Sequence, residues 1–184
     1  MKSLGSIYIF FTFLIFLLLS LSGLSIFDSL CHAMTTVATG GFSTHNNSVG
    51  HYNNFSTEII IVIGMLLASL PFTLYISFLR KKYSIFRDSQ VLLFLSLMTI
   101  FILALAIWIH IENNLDILIS LRLALFNGVS VMTGTGYSTE NFSNWGSFSN
   151  TLLLTMMFIG GCSGSTTGGL KVFRIQILFL IIIK

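Results

Sequence analysis

The chain has 184 residues, of which 54% are hydrophobic and only 8% charged, with a mean hydropathy of +0.92 and a formal net charge of +3. A soluble domain carries roughly a quarter charged residues, so this composition excludes a soluble globular protein and specifies a membrane protein in a lipid bilayer. Cys31 and Cys162 lie far apart in apolar surroundings and outline neither a disulfide framework nor a metal site. The small positive charge is no nucleic-acid signal, because the bases are distributed as membrane topology requires.

The first apolar run, 7–27, is uncharged and long enough to cross a hydrocarbon core, which takes roughly 20 residues. Lys2 ahead of it is compatible with a signal peptide, but the run is long for a signal core. Segment 28–38 is too short to cross and too apolar for an ordinary loop, so it reads as a re-entrant half-helix, with His32 as a packing residue. The phrase Thr36-Val37-Ala38-Thr39-Gly40-Gly41-Phe42-Ser43-Thr44 follows, then a polar loop over 44–57. His45 and His51 in that loop lack supporting Cys or carboxylate spacing and read as surface histidines. A second span is predicted over 59–79, kinked at Pro71.

Arg80, Lys81, Lys82 and Arg87 then crowd one loop, which the positive-inside rule places in the cytoplasm with the N-terminus. Asp28, Glu58, Glu112, Asp116 and Glu140 fall outside, either as solvated loop charges or as carboxylates that concentrate cations near an entrance. Arg122 is the one base placed outside. The third span is 91–109, followed by a second half-helix over 116–132 and the phrase Val131-Met132-Thr133-Gly134-Thr135-Gly136-Tyr137-Ser138-Thr139. An outer loop over 140–150 leads to a fourth apolar segment, 152–184, broken in its middle.

The two phrases align at an offset of 95 residues, Gly41 on Gly136 and Phe42 on Tyr137. Gly-rich, hydroxyl-bearing backbone at membrane depth is tolerated only where it is buried in protein or lines a watery path. A Thr-x-Gly-aromatic strand there offers backbone carbonyls to a dehydrated cation, and the negative end of the preceding half-helix favours one too. One copy alone would equally suit an interfacial helix and a plain glycine turn; two copies, each between spans, favour ion permeation. The fold predicted is an all-α membrane protein of tandem span–pore loop–span repeats resembling potassium-channel units, with a broken last helix. Its units are 1–79 and 91–184, joined by a basic loop over 80–90, and internal repeats of this kind are a common plan in transport folds.

The break in the fourth segment reads Gly160-Gly161-Cys162-Ser163-Gly164-Ser165-Thr166-Thr167-Gly168-Gly169, followed by Leu170 and Lys171. Such a stretch holds a helix poorly, although a small-residue packing face is the alternative. A phosphate loop fits badly: Gly164 and Gly169 are correctly spaced, but Leu170 intervenes before Lys171 and Val172 replaces the required hydroxyl residue. Lys171 reads as a loop anchor, as a charge that repels ions, or as a snorkelling structural lysine.

Together these residues resemble the Trk/Ktr/HKT family of potassium uptake proteins, nearest its TrkH-type subunits. Cys31 to His45 looks like the family's second pore loop, Val131 to Tyr137 like its third, and Phe158 to Val172 like the loop interrupting the helix after the third. The resemblance covers nearly the whole chain, aligning 1–79 with the family's unit two and 91–184 with unit three. It implies four units around one pore, with Thr39, Gly40, Gly41, Phe42, Gly134, Thr135, Gly136 and Tyr137 as filter residues binding potassium. It implies an intramembrane gate at Gly160, Gly161, Ser163, Gly164, Ser165, Thr166, Thr167, Gly168, Gly169 and Lys171. It also implies a homodimer with a cytoplasmic nucleotide-binding regulatory subunit, in the bacterial inner (plasma) membrane. The chain departs in carrying two units where four are needed, so pairing with another copy or with the missing units is expected. It departs also at Gly134, where threonine is common and an extra glycine is expected to soften the loop, and at Tyr137, where phenylalanine is usual. A one-pore cation-channel subunit is the alternative, against which two non-identical tandem loops argue; a non-functional truncated copy is another. No His/Asp/Ser constellation supports an enzyme, and no cofactor is implied.

Overall fold

The computed structural model describes residues 2–79 and 88–183. Helix α1 (Lys2–Leu21) is mostly apolar, with Lys2 at its start. Ile7, Phe11, Ile15 and Leu19 are buried and recur every four residues, which makes one inward stripe, while Ile9, Phe10, Phe13 and Leu17 stand on the outer face. Helix α2 (Ile26–Val37) starts behind Ser25, whose hydroxyl accepts the Asp28 amide at 3.1 Å. Twelve residues span about 18 Å, too little to cross a bilayer.

A 3-10 turn over Ser48–His51 leads into α3 (Phe55–Ser69), which is followed by α4 (Phe72–Leu79). Asp88 caps α5 (Ser89–Asn113), and Asn114 ends it in the left-handed region at φ 51°. Helix α6 (Ile117–Met132), a second 3-10 turn (Phe142–Trp145), α7 (Ser147–Ile159) and α8 (Val172–Ile183) complete the described chain. Among the described residues, two helices, over Leu4–Leu21 and Ser89–Asn113, are long and apolar enough to cross a membrane, and α3 with α4 qualifies as a bent pair. The order span, short helix, loop, 3-10 turn, returning helix thus occurs twice. Helix α6 packs against α3, α5 and α7, and Leu123, Ala124, Phe126, Asn127, Gly128 and Val129 are all buried along it.

Two sequence expectations change in detail. Pro71 does more than kink the second span: the chain turns by 87° between Phe55–Ser69 and Phe72–Phe78. Proline lacks the amide a continuous helix needs and forces the preceding residue out of helical geometry; Leu70 has ψ 154°. Glu58 is no free outer carboxylate. It is 5% exposed and takes a bidentate pair of hydrogen bonds, both 2.7 Å, from Arg122 on α6, so it joins the first half of the chain to the second. The basic loop 80–87 lies outside the described residues.

Candidate functional site

The two glycine-rich phrases leave their helices by the same path. The Ala38 amide donates to the Met34 carbonyl (3.0 Å) and the Gly40 amide to that of Thr35 (2.7 Å). At the positions 95 residues on, Thr133 donates to Val129 (2.9 Å) and Thr135 to Ser130 (2.9 Å). Left-handed backbone recurs in register, at Thr39 (φ 50°) and Gly41 (φ 66°) in the first phrase and at Gly134 (φ 72°) and Gly136 (φ 89°) in the second. Gly134 therefore does not simply soften its loop. It occupies a position that needs positive φ, which glycine adopts without steric cost. Thr39 adopts the same conformation with its hydroxyl bonded to the Ala38 carbonyl (2.8 Å) or that of Thr166 (3.0 Å).

The phrases also touch. A Cβ on Gly41 would collide with the Thr135 carbonyl oxygen and lie 2.8 Å from its carbon and 3.3 Å from the Gly136 carbonyl carbon; a Cβ on Gly136 would meet nothing within 4 Å. In each phrase a short-helix hydroxyl holds the carbonyl of the aromatic residue: Thr35 donates to Phe42 (2.9 Å) and Ser130 to Tyr137 (2.7 Å). The aromatic side chains part company. Phe42 is 76% exposed, Tyr137 1%.

The outer loops close over this pair. The Gly50 amide donates to the Ser138 carbonyl (3.1 Å), and the Ser138 amide to the Ser48 hydroxyl (3.2 Å). Buried Asn127 donates to the Thr139 hydroxyl (2.8 Å) and accepts its amide (3.2 Å). His32 is a buried packing residue, as its place in the half-helix suggests, but its ring nitrogens also bond the Asp28 carbonyl (2.8 Å) and the Ser43 hydroxyl (3.0 Å). His45 and His51 stack with centroids 3.8 Å apart. Hydrogen bonds from Thr44 and Ser25 hold the Asp28 carboxyl below its ordinary value. Among the described residues, no three His, Cys, Asp or Glu side chains converge as metal ligands.

Below the phrases lies the segment 160–171, which is not helical. It passes so close to itself that a Cβ on Gly169 would stand 2.7 Å from the Gly160 Cα. Its amides and carbonyls pair with the break at Pro71: Cys162 N donates to Ser69 O (3.1 Å), Thr166 N to Ala68 O (3.3 Å), and Phe72 N to Gly164 O (3.0 Å). Each broken helix thus satisfies backbone groups that the other leaves open, which an apolar environment requires. The Thr166 hydroxyl reaches the Val37 carbonyl (3.0 Å), and Gly168 N lies 3.5 Å from the Cβ position of Gly134. Gln90 accepts the Ser163 amide at 3.3 Å. Lys171 donates its ammonium to the Thr167 carbonyl and lies 3.3 Å from its hydroxyl. Sequence reasoning missed Asn127, Gln90 and the Glu58–Arg122 pair, because each is an ordinary polar residue until its distant partner is placed.

The family model for TrkH, described as a cation transport protein, matches residues 2–184. Trk system potassium uptake protein TrkI of Halomonas elongata is 41% identical over 184 residues, covering 98% of this chain and 37% of the relative. Trk system potassium uptake protein TrkH of Salmonella typhimurium is 39% identical over 183 residues, covering 97% and 38%. The crystal structure of the potassium transporter TrkH from Vibrio parahaemolyticus superposes with a TM-score of 0.92 at 32% identity, covering 97% of this chain and 39% of that one. The chain thus spans somewhat over a third of the length of the relatives it matches.

Proposed function

The chain belongs to the TrkH family of cation transport proteins, and on that premise we propose that it supplies two units of a potassium-uptake pore. The observation that carries this reading is the abutment of Gly41 on the carbonyls of Thr135 and Gly136, in two loops of matching left-handed pattern. Two such loops bring backbone oxygens of Thr39 to Phe42 and of Gly134 to Tyr137 toward one path, where carbonyls replace the hydration shell of a potassium ion. Potassium is the transported substrate, and the protein uses no cofactor and catalyses no reaction. The units are 1–79 and 91–184, joined by a cytoplasmic basic loop, with the N-terminus also cytoplasmic and the protein in the plasma membrane.

Segment 160–171 acts as the gate. It lies against Val37, Thr39 and Gly134 at the inner ends of both loops, and its glycines permit a second backbone path at low steric cost. Two units form half a pore wall. Further pore units of this kind complete it, and the resemblance to the Trk family implies a dimer under a nucleotide-binding regulatory subunit. The test is rubidium uptake in cells lacking their own potassium uptake. The chain expressed alone should give little flux, and co-expression of the remaining pore units should restore potassium-competed uptake. Deleting Ser165 and Thr166 in that assembly should raise flux with the potassium preference kept. Unchanged flux with altered preference would move this segment from gate to filter, and no uptake from the completed assembly would remove the pore reading.

A further inference from the structure

Tyr137 differs from its counterpart Phe42 by one oxygen atom and by its place. Its ring is buried and stacks on His32, with centroids 5.8 Å apart and planes at 27°. Its hydroxyl lies 2.5 Å from Thr35 Oγ1, 3.4 Å from Thr36 Oγ1 and 3.3 Å from the His32 carbonyl. All three partners belong to α2, in the other half of the chain.

Proton bookkeeping sets the direction of the bonds. A threonine hydroxyl has one proton and two acceptor sites. Thr35 Oγ1 stands 2.9 Å from the Phe42 carbonyl and also 2.9 Å from the Cys31 carbonyl of its own helix, and the matching bond from Ser130 to the Tyr137 carbonyl recurs at the equivalent place in the second loop. With its single proton shared between the Cys31 and Phe42 carbonyls, Thr35 can only accept from Tyr137. The phenol therefore donates to Thr35, and Thr36 donates to the phenol. A second route runs beside it: the His32 ring under Tyr137 bonds Ser43, the residue after Phe42.

We infer that Tyr137 is a positioning residue for ion selection: its hydroxyl, through Thr35, holds the Phe42 carbonyl and so fixes the spacing of the first loop against the second. This rests on the pore reading above. In the snug-fit account of selectivity, discrimination between cations of different radius depends on how rigidly neighbouring carbonyls keep their distance, and here one loop braces the other's last carbonyl through two hydroxyls.

The experiment compares potassium with sodium competition for rubidium uptake by the full chain in its completed assembly. Tyr137→Phe keeps the ring and removes the donor, and the potassium preference should fall about fivefold, the worth of one hydrogen bond. Thr35→Val should cause the same fall, and the double variant should fall no further, because both remove one link. Thr35→Ser, which keeps the hydroxyl, should retain the preference. Amide exchange in the purified chain at Gly40, whose amide bonds the Thr35 carbonyl, and at His45, whose amide bonds the Ser43 hydroxyl, should rise together in Tyr137→Phe and Thr35→Val. Uptake with an unchanged preference in Tyr137→Phe, additive losses, or unaltered exchange at Gly40 and His45 would overturn the brace alone. A wild type without potassium-competed uptake would overturn the pore reading and the selection role with it, a result distinguishable because the exchange measurement needs no transport.

Discussion

Phe42 and Tyr137 end two phrases of nearly the same sequence and the same backbone twist, yet one ring lies open and the other is enclosed. Tyr137 reaches back onto α2, the short helix of the first half. The same relation applied to Phe42 would direct it onto the short helix of a unit that precedes it, and no such helix is present in the described residues. The glycines show the complementary asymmetry, since Gly41 is walled in by Thr135 while Gly136 faces open space. Two equivalent loops therefore have one packed side and one open side each, and the proposed further pore units would pack on the open sides. The lesson is that a local motif sets the path of the backbone, and the neighbour decides what each residue in it is worth.

This comparison can be broken most directly at the aromatic pair. Tyr137→Ala should destabilise the purified chain by about 3–5 kcal/mol, as truncation of a buried aromatic does. Phe42→Ala should change stability by no more than about 0.5 kcal/mol, while weakening association with the completing pore units. Thermal unfolding in detergent reads the first and co-purification the second, and equal destabilisation would mean that Phe42 is buried.

The glycine pair sharpens the same point. Gly136→Ala should cost about 1–2 kcal/mol from left-handed backbone alone. Gly41→Ala carries that strain and a collision with the Thr135 carbonyl, and should cost about 4 kcal/mol in total. Equal unfolding temperatures for the two variants would separate the loops.

The smallest effect concerns the ion pair that ties α3 of the first half to α6 of the second. Glu58→Gln should lower stability by about 2 kcal/mol, because it leaves the Arg122 guanidinium without its carboxylate. That figure is below the fully buried case because Arg122 is 34% exposed. A loss that vanishes in high salt would make the pair a surface contact, contrary to the burial of Glu58.

Hydropathy, the basic cluster and the doubled phrase determined, without any coordinates, an all-helical membrane protein with two re-entrant loops and a broken last helix. Those features are local: an apolar run must be buried in lipid, and five glycines in ten residues cannot hold a helix. The same locality made Thr39, Gly41, Gly134 and Gly136 legible as loop residues of two aligned phrases, while the left-handed backbone they share is seen only in the structure. Only the tertiary structure decided which polar residues meet. Glu58 and Arg122 are 64 residues apart and Tyr137 and Thr35 are 102 apart, so no periodicity or spacing could pair them. It also decided that Pro71 turns the chain by 87°, because the turn is stable only where Cys162, Gly164 and Thr166 satisfy the backbone groups it frees. A proline states that a helix hydrogen bond is lost, and the fold alone states where its replacement is found.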